Sequence, residues 1–296
     1  MADGRGARQP QQSSGDIPER WRTLRVFRLT YGKGVSLDSS YDPWQAGDVV
    51  VDPRDDAYGQ LLVAALEGKD VVEIVERQDG FISASAMGPK LYLAPFRRWP
   101  SHHRRAIRYA RGRVLDAGAG AGRVSLHLQE RGHDVVAIDN SPGAIDVCRR
   151  RGVRKARVLA FDAVDESLGT FDTIVLFGNN FGLFGSPTKA KRLLRRLHRM
   201  TSDDAWIIVE SRDVERRGGA DAPWHKRYRE RNIARGRLPG QIRIRLRFRD
   251  VVGPWMDYPM VSPDQLRAIL AGTRWNLAQV FDSDDTYVAI IEKTTG

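Results

Sequence analysis

The chain has 296 residues, 41% of them hydrophobic, enough to bury one full domain and a smaller accessory region. Its formal charge of +11 admits a polyanionic partner, yet only eight of the 48 basic residues are lysines and the arginines are spread along the chain, as a GC-rich coding sequence also produces. A single cysteine, Cys148, excludes an intramolecular disulfide; no Cys/His cluster suggests zinc, and no apolar run approaches the length that crosses a bilayer. The polar N-terminus lacks a secretory pattern, so a cytoplasmic location is expected.

Residues 1–20 combine Gly, Pro, Gln, Ser and Arg with almost no apolar content and read as a disordered tail. Residues 21–100 read as an accessory region. Trp21 to Trp44 mixes aromatic and basic residues without a period. DPRDDAYGQ (52–60) then leads into an apolar helix over 61–69. VVEIVERQDGFI (71–82) follows, with Asp79-Gly80 marking a turn between two short strands. Pro95 and Pro100 close the region, and Ser101 is placed to cap a helix, HHRRAIRYAR.

The organising stretch is VLDAGAGAGRVSLHLQERGHDVVAID, Val114 to Asp139. A buried strand ends at Leu115-Asp116, and glycines at 118, 120 and 122 make a loop. A helix and a second apolar strand closed by Asp139 come next. Such a loop brings backbone N–H groups close to a ligand, and a carboxylate ending the next strand can accept both ribose hydroxyls. The spacing is G-x-G-x-G, with Arg123 where a dinucleotide loop would carry its last glycine.

Ser141 and Pro142 suit the first positions of another helix, with Ile145 and Cys148 inward. RVLAF (157–161) reads as a third strand and FDTIVLF (171–177) as a fourth, buried on both faces. The fourth empties into Gly178-Asn179-Asn180-Phe181-Gly182. Ser186-Pro187 starts a helix to about Thr201 with a basic outer row, and AWIIVE (205–210) is a fifth strand. Residues 211–240 are polar and too long for a simple connection. QIRIRLRFR (241–249) alternates apolar and arginine side chains, Ser262 to Gln265 fits a capping box, and TYVAIIE (286–292) supplies the final strand.

Leu115-Asp116 followed by G-x-G-x-G resembles the first motif of the class I S-adenosylmethionine-dependent methyltransferases, and the resemblance extends over the last two thirds of the chain. It implies an α/β, Rossmann-like fold over 101–296: a seven-stranded, mostly parallel sheet with helices on both faces and an antiparallel last strand. Residues 241–249 would be an edge strand, 211–240 a substrate-side insertion, and 21–100 a lid. The implied cofactor is S-adenosyl-L-methionine. Asp116, Gly118, Ala119, Gly120 and Gly122 would lie under its methionine end, and Asp139 with Asn140 at its ribose. Phe161, Asp162 and Ala163 would meet the adenine, with capping of the short helix that follows as the alternative for Asp162. Gly178 and Asn179 would flank the cofactor, and Tyr58 would reach its carboxylate from the lid or serve as packing there.

For the methyl acceptor the candidates are Asn180, Phe181, Arg212, His225, Tyr228 and Asn232, with Asn180 and His225 also proposed for catalysis. The two asparagines suit a left-handed turn as well. The Asn/Asp-Pro-Pro-aromatic motif of adenine- and amide-modifying members is absent. A small-molecule acceptor is therefore expected, with RNA modification or a cofactor-binding scaffold as alternatives and no metal required.

Overall fold

A computed structural model describes residues 50–216 and 223–294, and the backbone alone at Pro223 and Trp224. The expected tail over 1–20 and the aperiodic stretch from Trp21 to Trp44 lie outside these residues. In chain order the elements are α1 (Ala57–Leu66), β1 (Glu73–Arg77), β2 (Ile82–Ser85), α2 (Met87–Tyr92), α3 (Ser101–Ala106), β3 (Arg113–Ala117), α4 (Arg123–Glu130), β4 (Asp134–Asp139), α5 (Pro142–Arg150) and β5 (Ala156–Val158). They continue with β6 (Phe171–Leu176), α6 (Pro187–Arg199), β7 (Thr201–Arg212), α7 (Pro223–Ala234), β8 (Gln241–Phe248), β9 (Val251–Val252), β10 (Met256–Pro259), α8 (Pro263–Leu270), β11 (Trp275–Ser283) and β12 (Thr286–Lys293).

The central sheet has seven strands in the order β11-β12-β7-β6-β3-β4-β5. β3, β4, β5, β6 and β7 run parallel, and β12 lies antiparallel to β7, as the resemblance implied. The parallel strands are apolar throughout because both faces are covered: Leu115, Ile138, Ile174 and Ile207 pack against α6 and α8, while Val114, Val135, Val175 and Ile208 form a second core with Trp99, Ile107 and Val124. Helix starts follow side-chain capping. Ser141 accepts from Ala144 N–H and Ser186 from Lys189 N–H, and Ser262 with Gln265 closes a complete capping box. Ser101 behaves otherwise. It is the first residue of α3, its side chain makes no cap, and the helix gives way at Ile107 to a 3₁₀ turn.

Two expectations need correction. The seventh strand of the central sheet is β11, whose polar and apolar residues do not alternate cleanly because a bulge falls between Leu277 and Gln279. The alternating 241–249 segment is no edge of that sheet. It is β8, an inner strand of a second sheet in the order β10-β8-β1-β2, with β9 beside it as well. Val75 pairs with Leu246 and Glu76 with Arg245 across the β1–β8 ladder. The hairpin after α1 and the segment before α8 thus fold together, so the expected boundary at residue 100 divides a single sheet. Pairing explains the pattern: Leu246 and Phe248 cover Ala57, Leu61 and Ala64 of α1, while Arg245 and Arg247 bind Glu76 on the opposite face.

Candidate active site

The chain must leave β3 and enter α4 within five residues. Gly118, Gly120 and Gly122 make this turn at φ of 70°, 54° and 74°, a left-handed backbone that a Cβ would strain. The N–H groups of Gly118 and Ala119 donate to the Ile138 carbonyl at 2.9 and 3.0 Å, tying the loop to the end of β4. Asp139 continues the seam. Its two carboxylate oxygens accept from Gly120 N–H at 2.9 Å and Ser141 N–H at 3.0 Å. Burial pushes this carboxyl up to about 6, against the pull of those two donors.

Tyr58 projects from α1 onto this loop: a Cβ on Gly120 would lie 2.7 Å from its hydroxyl oxygen. What holds α1 there is Asp56, which the sequence reading passed over. It caps α1 through Gly59 N–H at 2.8 Å, accepts the Ser141 hydroxyl at 2.8 Å on both oxygens, and accepts Gly143 N–H at 2.9 Å. Neither Gly59 nor Gly143 has room for a Cβ, so α1 rests directly on the start of α5. Asn140 contributes its carbonyl, which accepts Val51 N–H at 3.0 Å. Asp116 is turned into the protein, accepting the Ser125 hydroxyl at 2.6 Å, and burial pushes its carboxyl up to about 6. At the end of β5, Phe161 is buried edge-on to Phe184, while Asp162 is partly open and Ala163 exposed.

The loop after β6 is held by a residue on the neighbouring strand. Gly178 and Asn179 have φ of 90° and 63°, and both donate N–H to Glu210 Oε2, at 2.5 and 3.1 Å. Burial would raise the Glu210 carboxyl, but His103, His102 and the loop amides hold it well below the usual carboxylate range. His103 Nε2 stands 3.1 Å from Glu210 Oε1 and His102 Nε2 3.9 Å. Ligand atoms of the three residues all lie within 4.8 Å of one another. A metal-bound imidazole normally gives its second N–H to an acceptor. His103 instead turns Nδ1 towards the Arg123 guanidinium, a donor, at 3.2 Å. We therefore read the trio as the support of the loop. Arg123 Nη1, Asn179 Oδ1 and both ring nitrogens of His102 are buried without hydrogen-bond partners among the described residues, so polar atoms here remain to be satisfied.

Asn180 is not free to meet an acceptor. Its Nδ2 donates to the carbonyls of Ala117 and Gly118, at 3.3 and 3.0 Å, and its Oδ1 accepts the Tyr258 hydroxyl at 3.2 Å. Phe181 is 1% exposed and packs in the core against Phe184. His225, Tyr228 and Asn232 fasten α7 to the second sheet. Arg77 donates to His225 Nδ1 at 3.0 Å and lies 4.1 Å over the Tyr228 ring, while Asn232 donates to the carbonyls of Pro239 and Gln241. Burial lowers the His225 imidazole below its ordinary value, as does Arg77 beside it. Arg212 is exposed and pairs with Asp285 at 3.3 Å. These four residues bond to Arg77, Gln78, Pro239, Gln241 and Asp285, away from the glycine loop.

The residues that do reach the loops were missed, and one had a signal. Glu210 is a carboxylate directly after the apolar run AWIIV, as Asp139 is after VVAI. Asp56 offered only its capping position before α1, and Tyr258 and Arg123 gave none, since their partners lie far away in sequence.

Residues 114–204 match the family model described as "Methyltransferase domain". Over 67 residues the chain is 43% identical to magnesium-protoporphyrin O-methyltransferase of Rhodobacter capsulatus, covering 21% of this chain and 30% of that protein. Over 109 residues it is 26% identical to glycine/sarcosine N-methyltransferase of Halorhodospira halochloris, covering 35% and 41%. The chain thus spans less than half the length of these relatives. In fold it is similar to a SAM-dependent methyltransferase from Bacteroides fragilis solved with S-adenosyl-L-homocysteine, with a TM-score of 0.69 over 83% of this chain and 98% of that one, at 24% identity. Residues 114–204 thus carry a methyltransferase-domain match within a fold shared with an S-adenosylmethionine-dependent methyltransferase. The unsubstituted cradle at Gly118 and Gly120 and the unsatisfied polar atoms beside it fit S-adenosylmethionine.

Proposed function

We propose that this protein transfers the methyl group of S-adenosylmethionine to a small-molecule acceptor held between the glycine loop and the second sheet. The observation that carries this reading is the seam of Gly118–Gly122, Asp139 and the latched helix α1, with Tyr58 over Gly120. The cofactor supplies an electrophilic sulfonium methyl, so the chain's own work is alignment and exclusion of water. In this reading the loop amides and Tyr58 receive the methionine end together with Arg123, and Asp139 accepts the ribose hydroxyls. Phe161, Asp162 and Ala163 border the adenine, and Gly178 with Asn179 flanks the reacting centre. Asp116 acts through α4, and Asn180 positions the two loops against each other.

The small-molecule part is supported by the small-molecule methyltransferases among the relatives and by the layer that α1 and the second sheet make beside the loops. RNA is supported by net charge alone. The test is incubation with labelled S-adenosylmethionine and a metabolite extract, with and without nuclease, following the label by mass. Label in a small metabolite is the expected result. Nuclease-sensitive label sinks the small-molecule reading, and cofactor binding without any transfer sinks the enzymatic one.

A further inference from the structure

The second sheet turns Glu73 towards the same side as Val75, whose partner Leu246 packs with α1. Glu73 Oε1 accepts the Tyr92 hydroxyl at 2.8 Å. Its Oε2 has no hydrogen-bond partner among the described residues, and no basic side chain among them lies at ion-pair distance. Gly88 stands beside that oxygen, where a Cβ would come within 2.7 Å. Tyr92 meets Tyr58 edge-on with ring centroids 5.7 Å apart, and Tyr58 reaches Gly120. Tyr258, from β10, donates at 3.2 Å to the Gly178 carbonyl and to Asn180 Oδ1. Glu73 is close enough to make ionisation of Tyr58 and Tyr258 harder, after the larger effect of burial. Three phenols and one carboxylate therefore converge between the two loops that border the reaction site, with Arg123 near Tyr58 and Tyr92 but no cation at ion-pair distance from Glu73 among the described residues.

We infer that the methyl acceptor is an amine, received at Glu73 Oε2 within the ring of Tyr58, Tyr92 and Tyr258. This rests on the methyltransferase reading above and specifies its substrate class. A carboxylate or phosphate acceptor would meet Glu73 with like charge, whereas an ammonium gains both the carboxylate and the electron-rich aromatic faces. Burial raises the Glu73 carboxyl while Tyr92 opposes the shift, so a bound cation would hold it ionised. The bound ammonium first gives one proton to Glu73 and on to water, which frees the nitrogen lone pair. In the transfer that nitrogen forms a bond to the methyl carbon, the carbon–sulfur bond breaks with its electron pair staying on sulfur as the neutral thioether, and the positive charge then resides on the methylated nitrogen.

Two arms test this. In the first, wild-type protein loaded with S-adenosylhomocysteine is titrated with benzyltrimethylammonium and with its uncharged carbon isostere, neopentylbenzene. The cation should bind about tenfold or more tightly than the isostere, and that preference should vanish in Glu73→Gln. Tyr92→Phe, which removes only a hydroxyl, should reduce it. S-adenosylhomocysteine affinity should be unchanged in both variants, which also verifies their folding. In the second, labelled S-adenosylmethionine is offered with a panel of primary and secondary amines and with the matched alcohols, phenols and carboxylic acids. Label on nitrogen is expected. Equal binding of cation and isostere, or label on oxygen alone, overturns the amine assignment and leaves methyl transfer standing. No label in any pool overturns the methyltransferase reading, and the first arm still decides whether Glu73 receives a cation.

Discussion

The two sheets of this protein do different work and were unequally visible in its sequence. The central sheet is built from neighbours in the chain: β3, the glycine loop, α4 and β4 occupy one continuous stretch, and Asp139 is tied to Gly120 only nineteen residues away. The second sheet joins β1 to β8 across about 170 residues, and its site-facing Glu73 and Tyr258 come from opposite ends of the chain. In the proposed function the first sheet carries the cofactor loop and the second faces the acceptor, so the comparison can be tested by breaking each sheet's attachments separately.

The largest effect is expected where the two regions meet the loop after β6. Glu210→Ala would remove the acceptor of the Gly178 and Asn179 N–H groups and the buried carboxylate beside His103 and His102. It should cost about 3–5 kcal/mol of folding stability, measured by denaturant unfolding. Asp139→Ala acts on the first sheet's function instead. It should weaken S-adenosylhomocysteine binding by about 2–4 kcal/mol while the domain stays folded. Unchanged affinity would detach the ribose from β4.

Asp56→Ala comes next. Losing the contacts to Ser141 and Gly143 should lower stability by about 1–3 kcal/mol and free α1, raising the dissociation rate of S-adenosylhomocysteine. Asp56→Asn should recover part of both. Asn180→Ala should lower the melting temperature with cofactor affinity nearly intact. A folded Asn180→Ala protein with normal stability but lost turnover would return that residue to the acceptor. Smallest is Glu76→Ala on the outer face of the second sheet, worth about 1 kcal/mol or less despite its two arginine partners.

Asp139 also ties the first sheet to pH. Its folded-state pKa of about 6 lies above the ordinary carboxylate value, as does that of Asp116. Each therefore favours the folded cofactor-free protein at low pH, and that contribution is lost as pH rises through about 6. Ribose hydroxyls donate to the ionised form, so cofactor binding has the opposite sign. S-adenosylhomocysteine affinity should fall as pH drops below about 6, and Asp139→Asn should flatten the profile.

Legibility followed sequence separation. Ser141, Ser262 and the glycine loop act within a few residues of themselves, and periodicity and capping chemistry found them. The alternation of 241–249 was visible too, yet a period of two names a strand without naming its partner, and the partner was Glu73–Arg77. His225, Tyr228 and Asn232 were singled out because polar residues in an insertion suggest a pocket; here they fasten a helix. Asn180 makes a related point, since the amide that suggested substrate recognition is bonded to Ala117, Gly118 and Tyr258.

The central claim is that the glycine loop and Asp139 form an S-adenosylmethionine site. Calorimetric titration at pH 7.5 with S-adenosylhomocysteine and, separately, NAD tests it most directly. The arrangement predicts one equivalent of S-adenosylhomocysteine bound by the wild type, weakened in Asp139→Ala, and no NAD binding. Tight NAD binding with no heat from S-adenosylhomocysteine would contradict it.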